Sequence, residues 1–101
     1  MSKWVDYIKS GLHNIPTQSL RAMQKRNLIA QTENGDYRLT RNAKVYVYAM
    51  ELLESYEFVV LRKKDAKMGM MCYREGNDIV DCWGKIYDLE NVVNGKGLGR
   101  K

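Results

Sequence analysis

The Asn34-Gly35 dipeptide narrows what this chain can become more than any other feature. Asn-Gly is the strongest short hairpin signal, because a type I′ turn needs positive φ at both central residues. Residues 29–32 before it and 37–39 after it are short and carry enough apolar side chains to be the two strands. Upstream, Leu20, Met23 and Leu28 recur at helical intervals, with Gln18, Ser19, Arg21, Ala22, Lys25 and Arg26 between them. That pattern predicts an amphipathic helix over residues 17–27. Thr17 is placed to cap its start, and Asn27 to end it in the left-handed conformation that Asn tolerates. Residues 16–40 therefore read as a helix followed by a hairpin.

The flanking sequence extends this unit on both sides. Trp4, Val5, Ile8 and Leu12 predict a short helix over residues 2–11, with Gly11 at its end. A further helix is expected from Arg41, with Thr40 as N-cap and Val45, Tyr48, Ala49, Leu52, Leu53 and Tyr56 as its buried stripe. Beyond Ser55 the texture becomes β-like. Residues 58–61 read as a strand, and residues 67–73 and 79–85 as a hairpin around 74–78; residues 86–93 fit strand or helix. A loop of Gly76 to Asp78 would set Cys72 opposite Cys82, either as two small buried hydrophobes or as a cross-link under oxidation. The same alternation puts Met68, Met70 and Cys72 on one strand face and Met71 with Tyr73 on the other. The fold class expected is α+β. Residues 1–55 hold two helices, the hairpin and a third helix; residues 56–93 form a small antiparallel β element, packed on them or mediating association. Residues 94–101, Gly-rich and basic, are expected to be a mobile tail.

Composition bounds the function. The chain has 101 residues, 45% hydrophobic and 29% charged, a balance suited to one packed core. No apolar run approaches the ~18–20 residues that cross a bilayer. The first residues lack a signal-peptide stretch, so an intracellular, cytoplasmic protein is expected. Cys72, Cys82 and the single His13 cannot supply four zinc ligands, and no cofactor is implied. No Ser/His/Asp set can be placed. Glu75, Asp78, Asp81, Asp88 and Glu90 match no metal loop, and the glycines at 95, 97 and 99 lack the helix and Lys-Ser/Thr of a phosphate loop. These observations point away from an enzyme. The formal net charge is +5, and residues 17–44 hold six basic residues (Arg21, Lys25, Arg26, Arg38, Arg41, Lys44) against Glu33 and Asp36, a net of +4. A local basic surface favours a polyanion, since each neutralised phosphate releases a counterion.

The run Lys25-Arg26-Asn27-Leu28-Ile29, followed by Asn34-Gly35-Asp36-Tyr37-Arg38-Leu39-Thr40, resembles the recognition helix, wing and return strand of winged helix-turn-helix DNA-binding proteins. The resemblance covers residues 3–55. Asn27 stands where that family usually has Gly, and only one helix precedes the recognition helix where two are usual. The resemblance implies a transcriptional regulator that binds double-stranded DNA. Its helix would enter the major groove, with Gln18, Ser19 and Arg21 toward base edges and Lys25 toward phosphate. Arg38 and Arg41, on and after the wing, would meet phosphates. Two other readings stay open. One is a protein-binding module, an inhibitor or adaptor of the phage or mobile-element kind, or a homodimer, using Met71, Tyr73 and Trp83 of the β-rich half. The other is an RNA-binding protein stacking bases on some of its seven Tyr and two Trp.

Overall fold

The computed structural model describes residues 2–101. They build an α+β fold of three helices and two antiparallel sheets. Helix α1 spans Lys3–Lys9; the Ser2 hydroxyl caps it by accepting the Val5 N–H at 3.3 Å. It ends at Gly11 (φ 83°), where Leu12 N–H reaches Tyr7 O and Gly11 N–H reaches Ile8 O, the paired bonds of a Schellman motif.

Helix α2 spans Thr17–Lys25. Thr17 is its first residue and not its cap. Pro16, held extended at φ −56° and ψ 143°, takes the cap position, and its carbonyl accepts from Leu20 N–H. The far end follows expectation. Asn27 adopts φ 59°, its N–H bonds Gln24 O, and Leu28 N–H bonds Met23 O, each at 3.0 Å. Asn is thus a working substitute for Gly at this left-handed position.

Strands β1 (Ile29–Gln31) and β2 (Tyr37–Leu39) pair antiparallel, Ile29 opposite Leu39 and Gln31 opposite Tyr37. Their turn differs from a type I′ turn in one respect. Positive φ occurs at Gly35 (86°) and not at Asn34. Thr32 O accepts Gly35 N–H at 3.0 Å, and Thr32 N–H donates to Asp36 O. Glu33 and Asn34 therefore make the bend, and Gly35 supplies the left-handed residue of a three-residue loop. Thr40 is the N-cap of α3, as expected, in extended conformation, but its side chain makes no capping bond. Its hydroxyl donates to Asn27 O and its N–H to Leu28 O, which ties the end of the hairpin to the exit of α2.

Helix α3 spans Arg41–Ser55 and buries Asn42, Ala43, Tyr46, Ala49, Met50 and Leu53. The expected stripe is displaced around the helix. Ala49 and Leu53 belong to it, Val45 and Leu52 are half-buried, Tyr48 is 53% exposed, and Tyr56 begins the next strand. Tyr46 goes inside because its hydroxyl finds partners there. It donates to Asn77 O at 2.6 Å, so the Ser2 hydroxyl, 2.7 Å away, donates to it. Burial pushes the Tyr46 pKa up to about 12.

The second sheet has the order β5-β4-β3-β6, with β3 Tyr56–Lys63, β4 Met70–Glu75, β5 Asp78–Val80 and β6 Val92–Arg100. Two expectations fail here. Residues 94–101 are not a mobile tail: β6 runs alongside β3 from Lys63 opposite Val92 to Tyr56 opposite Arg100. The glycines serve close approach. A Cβ at Gly97 would lie 2.3 Å from the Tyr56 ring, and one at Gly95 2.9 Å from Leu61 Cδ2 and 3.2 Å from the Tyr48 ring. The second concerns the cysteines. The hairpin pairs Glu75 with Asp78 and Tyr73 with Val80, leaving Gly76-Asn77 as a two-residue turn with positive φ at Gly76. This register is one residue away from setting Cys72 opposite Cys82. Both thiols are free, Cys72 buried and Cys82 exposed beyond the strand. Burial raises the Cys72 pKa to about 12.

A single cluster of buried side chains runs from Trp4 and Val5 of α1 through Met23, Leu28, Met50 and Leu53 to Val59, Leu61, Cys72 and Val92 of the sheet. The helical half and the β-rich half thus share one core, and α3 passes into β3 with no linker between them. No helix among the described residues is long and apolar enough to cross a membrane.

Candidate nucleic-acid interface

Helix α2 presents its polar residues away from the core because its apolar ones anchor the opposite side. Met23 is fully buried and Leu20 packs against the core. At ~100° per residue, Gln18, Arg21 and Lys25 fall within one sector facing away from Met23. All three are exposed, and Arg21, Gln24 and Lys25 line one shallow depression. Ser19 does not join them. It lies on the flank beside Leu20 and Met23, half-buried.

Arg26 is withdrawn from this surface. Its guanidinium meets the Asp78 carboxylate at 2.7 and 3.2 Å, donates to Ala22 O, and stacks 5.5 Å from the centre of the Trp4 ring. It fastens the end of α2 to β5, so one of the six basic residues of the 17–44 stretch is structural. This partner across the fold carries no local sequence signal.

The two remaining basic candidates lie on different elements. Arg38 is on β2, opposite Ala30, and is exposed. Arg41 opens α3, where its guanidinium donates to Val92 O at 3.2 Å, and with Lys44 and Tyr48 it borders a groove against residues 92–95. It faces β6. The structure therefore brings Gln18, Arg21 and Lys25 together, sets Arg38 on the hairpin that follows them, and places Arg41 beside the sheet.

A second concavity, of about 390 Å³, opens next to the end of α2 between Lys25 and the segment holding Ile86, Tyr87 and Asp88, with Trp4 in its wall. Burial, with the nearby Cys72 and Asp88, raises the Tyr87 pKa.

The partner-binding candidates of the β-rich half divide in the same way. Met71 is 42% exposed, and Tyr73 is half-buried with its ring 5.8 Å from that of Phe58. Met71 and Tyr73 share one sheet face. Trp83, 75% exposed, is off the ladder, in a turn where one Asp81 carboxylate oxygen accepts from both Trp83 N–H and Lys85 N–H at 3.0 Å. Met68, 83% exposed, precedes β4, so it does not share a strand face with Met70 and Cys72. Lys96 and Leu98, which join Met71 and Tyr73 on their face, escape the sequence reading because β6 was not expected; Phe58 lies on an expected strand whose pairing with β4 was not. Alternation of Gly with other residues from 95 to 99 was the available signal.

Among the described residues, no group of three or more His, Cys, Asp or Glu is placed to hold a metal ion. Comparison with known proteins finds no matching family, no matching curated protein and no matching solved structure.

Proposed function

We propose that this protein binds double-stranded DNA without catalysing a reaction, as a small winged-helix transcriptional regulator. In this reading α2 enters the major groove and the β1–β2 hairpin is the wing. The observation that carries it is the outward face of α2. Gln18, Arg21 and Lys25 are exposed together on a helix whose other side is anchored by Met23. The C-terminal end of the helix is held by Arg26 on Asp78 and by Thr40 on Asn27 and Leu28. A major groove about 12 Å wide accepts such a helix, and side chains on its outward face can reach base edges.

Within this reading Gln18 and Arg21 read bases, since Gln matches adenine and Arg matches guanine through paired hydrogen bonds. Lys25 and Arg38 contact phosphates and set the register. Ser19, on the flank, contributes less than its sequence position implied. Arg41 reaches DNA only if the duplex extends past the hairpin toward β6. The reading places the protein where DNA is, inside the cell.

The test is fluorescence anisotropy with mixed-sequence duplexes, starting at low salt. Expected are binding that weakens steeply with salt, and a loss of at least tenfold in Arg21→Ala with Lys25→Ala. Each lost phosphate contact should flatten the plot of log K against log salt by about 1. Both residues are exposed, so circular dichroism should show an unchanged fold. Absence of duplex binding at low salt, or binding indifferent to the double substitution, contradicts the proposal.

A further inference from the structure

We propose that the uncovered face of the four-stranded sheet binds single-stranded DNA by base stacking, at a site separate from α2. Side chains alternate along a strand, and here the two alternations meet different surroundings. Val59, Leu61, Cys72 and Ile79 turn into the core and are at most 3% exposed. Phe58, Val60, Met71 and Tyr73 fall on the opposite face of the two central strands. The register adds Leu98 beside Phe58 and Lys96 beside Val60; Val80, beside Tyr73, is 7% exposed and bridged by Ile86, so the face closes at that edge. Helix α3 packs on the other side of the sheet.

Two observations select the occupant. The first is the pair of rings. Phe58 and Tyr73 stand next to each other on adjacent central strands, centroids 5.8 Å apart and planes tilted by 48°, both partly open to solvent. Aromatic side chains on an open sheet stack unpaired bases, whose π faces a duplex keeps hidden. The second is charge. Lys96 is exposed one strand away and makes no ion pair among the described residues, and Lys64 and Lys67 are exposed in the turn that follows β3. Asp78 is paired with Arg26, Asp88 with Lys63, and Asp81 accepts from its own turn, while Glu75, two residues beyond Tyr73, is the exposed acid of this face. A ring pair with an uncommitted cation one strand away, and further lysines at the far end of the same strands, complements a chain of bases and phosphates.

The surroundings of the rings favour DNA over RNA. Val60, Met71 and Leu98 offer apolar contact to a thymine methyl group and to the C2′ methylene of deoxyribose. Against the same side chains a 2′-hydroxyl would lose water without gaining a partner, an unfavourable exchange.

The experiment titrates the full chain with fluorescein-labelled dT12 and U12 at low salt. Expected is binding of dT12, tighter than U12 and weakened by salt. Phe58→Leu and Tyr73→Leu keep an apolar side chain but remove the ring, and each should weaken dT12 binding roughly 5- to 150-fold, the range for losing one stacked base. Tyr73→Phe should retain it, which separates stacking from damage to the fold. Lys96→Gln should weaken binding a few-fold and flatten its salt dependence. Arg21→Ala with Lys25→Ala should leave dT12 affinity within twofold, so this proposal and the duplex reading fail separately. Four results would overturn it: no dT12 binding at low salt, binding unchanged in both Leu variants, U12 bound as tightly as dT12, or loss of binding in the α2 double variant. Sedimentation velocity adds a fifth. A wild-type dimer that Tyr73→Leu dissociates would assign the face to a second copy of the chain.

Discussion

Helix α2 with its hairpin and the outer face of the sheet are both mounted on the core that α3 organises, yet they expose opposite chemistry. The outward sector of α2 holds Gln18, Arg21 and Lys25, long side chains with polar ends. The sheet face holds Phe58, Val60, Met71, Tyr73 and Leu98, with Lys96 as its cation. The first suits hydrogen bonds and charge along a groove, and the second suits flat apolar contact. What separates them is the anchoring underneath. Met23 and Leu28 fix one surface and Val59, Leu61 and Cys72 fix the other, and all five have essentially no solvent exposure. Small chains can keep two unlike surfaces when both are cantilevered from one set of buried residues.

The largest effect should come from breaking what the two regions share. Leu61→Ala removes a side chain 1% exposed from under the sheet, at a cost of about 2–5 kcal/mol. If the core is one unit, thermal unfolding followed in the helices and in the sheet should shift together. Separate transitions would mean that the regions are independent. Next comes Gly97→Ala, whose Cβ meets the Tyr56 ring at 2.3 Å; it should cost roughly 1–3 kcal/mol in urea unfolding and release the end of β6. An unchanged midpoint would show that β6 is not held as described.

Tyr46→Phe is a smaller change at the joint between α1, α3 and the β4–β5 turn. It leaves Ser2 and the Asn77 carbonyl without their partner and should cost roughly 1–2 kcal/mol. It also carries a pH signature. Burial raises the Tyr46 pKa from 10.0 to about 12, so the folded state keeps a proton that the unfolded chain releases. That stabilisation is complete below pH 10 and is lost as pH rises toward 12. The stability of Tyr46→Phe should therefore fall less steeply across that window in urea titrations. At the small end, thiol labelling should modify Cys82 quickly and Cys72 only on unfolding, since Cys72 is buried and its thiolate is disfavoured. Equal labelling rates would contradict the burial of β4.

Local chemistry was legible in the sequence and partnership across the fold was not. Capping and turn residues act within a few positions, so Gly11, Asn27 and Gly35 mark their boundaries correctly, although Pro16 and not Thr17 takes the cap of α2. The choice between Tyr46 and Tyr48 as the buried ring of α3 depends on Ser2 and Asn77, which are distant in sequence. The β6 strand was missed for a related reason. Glycines at 95, 97 and 99 read as flexibility until Tyr48, Tyr56 and Leu61 are seen to fill the space above 95 and 97. The candidate site fared likewise. The winged-helix resemblance is what singles out Gln18, Ser19, Arg21 and Lys25. Helical period accounts for the shared exposure of Gln18, Arg21 and Lys25 and the withdrawal of Ser19, whereas the commitment of Arg26 to Asp78 and the turn of Arg41 toward Val92 are contacts that period cannot reveal.

The central claim, that α2 and the hairpin meet duplex DNA while the sheet face does not, is tested most directly by titrating 15N-labelled protein with a duplex and following backbone amide resonances. The account predicts shifts concentrated in residues 17–26 and 31–38, with Phe58, Met71, Tyr73 and Lys96 unmoved. Shifts centred on those four sheet residues, with α2 unaffected, would contradict it.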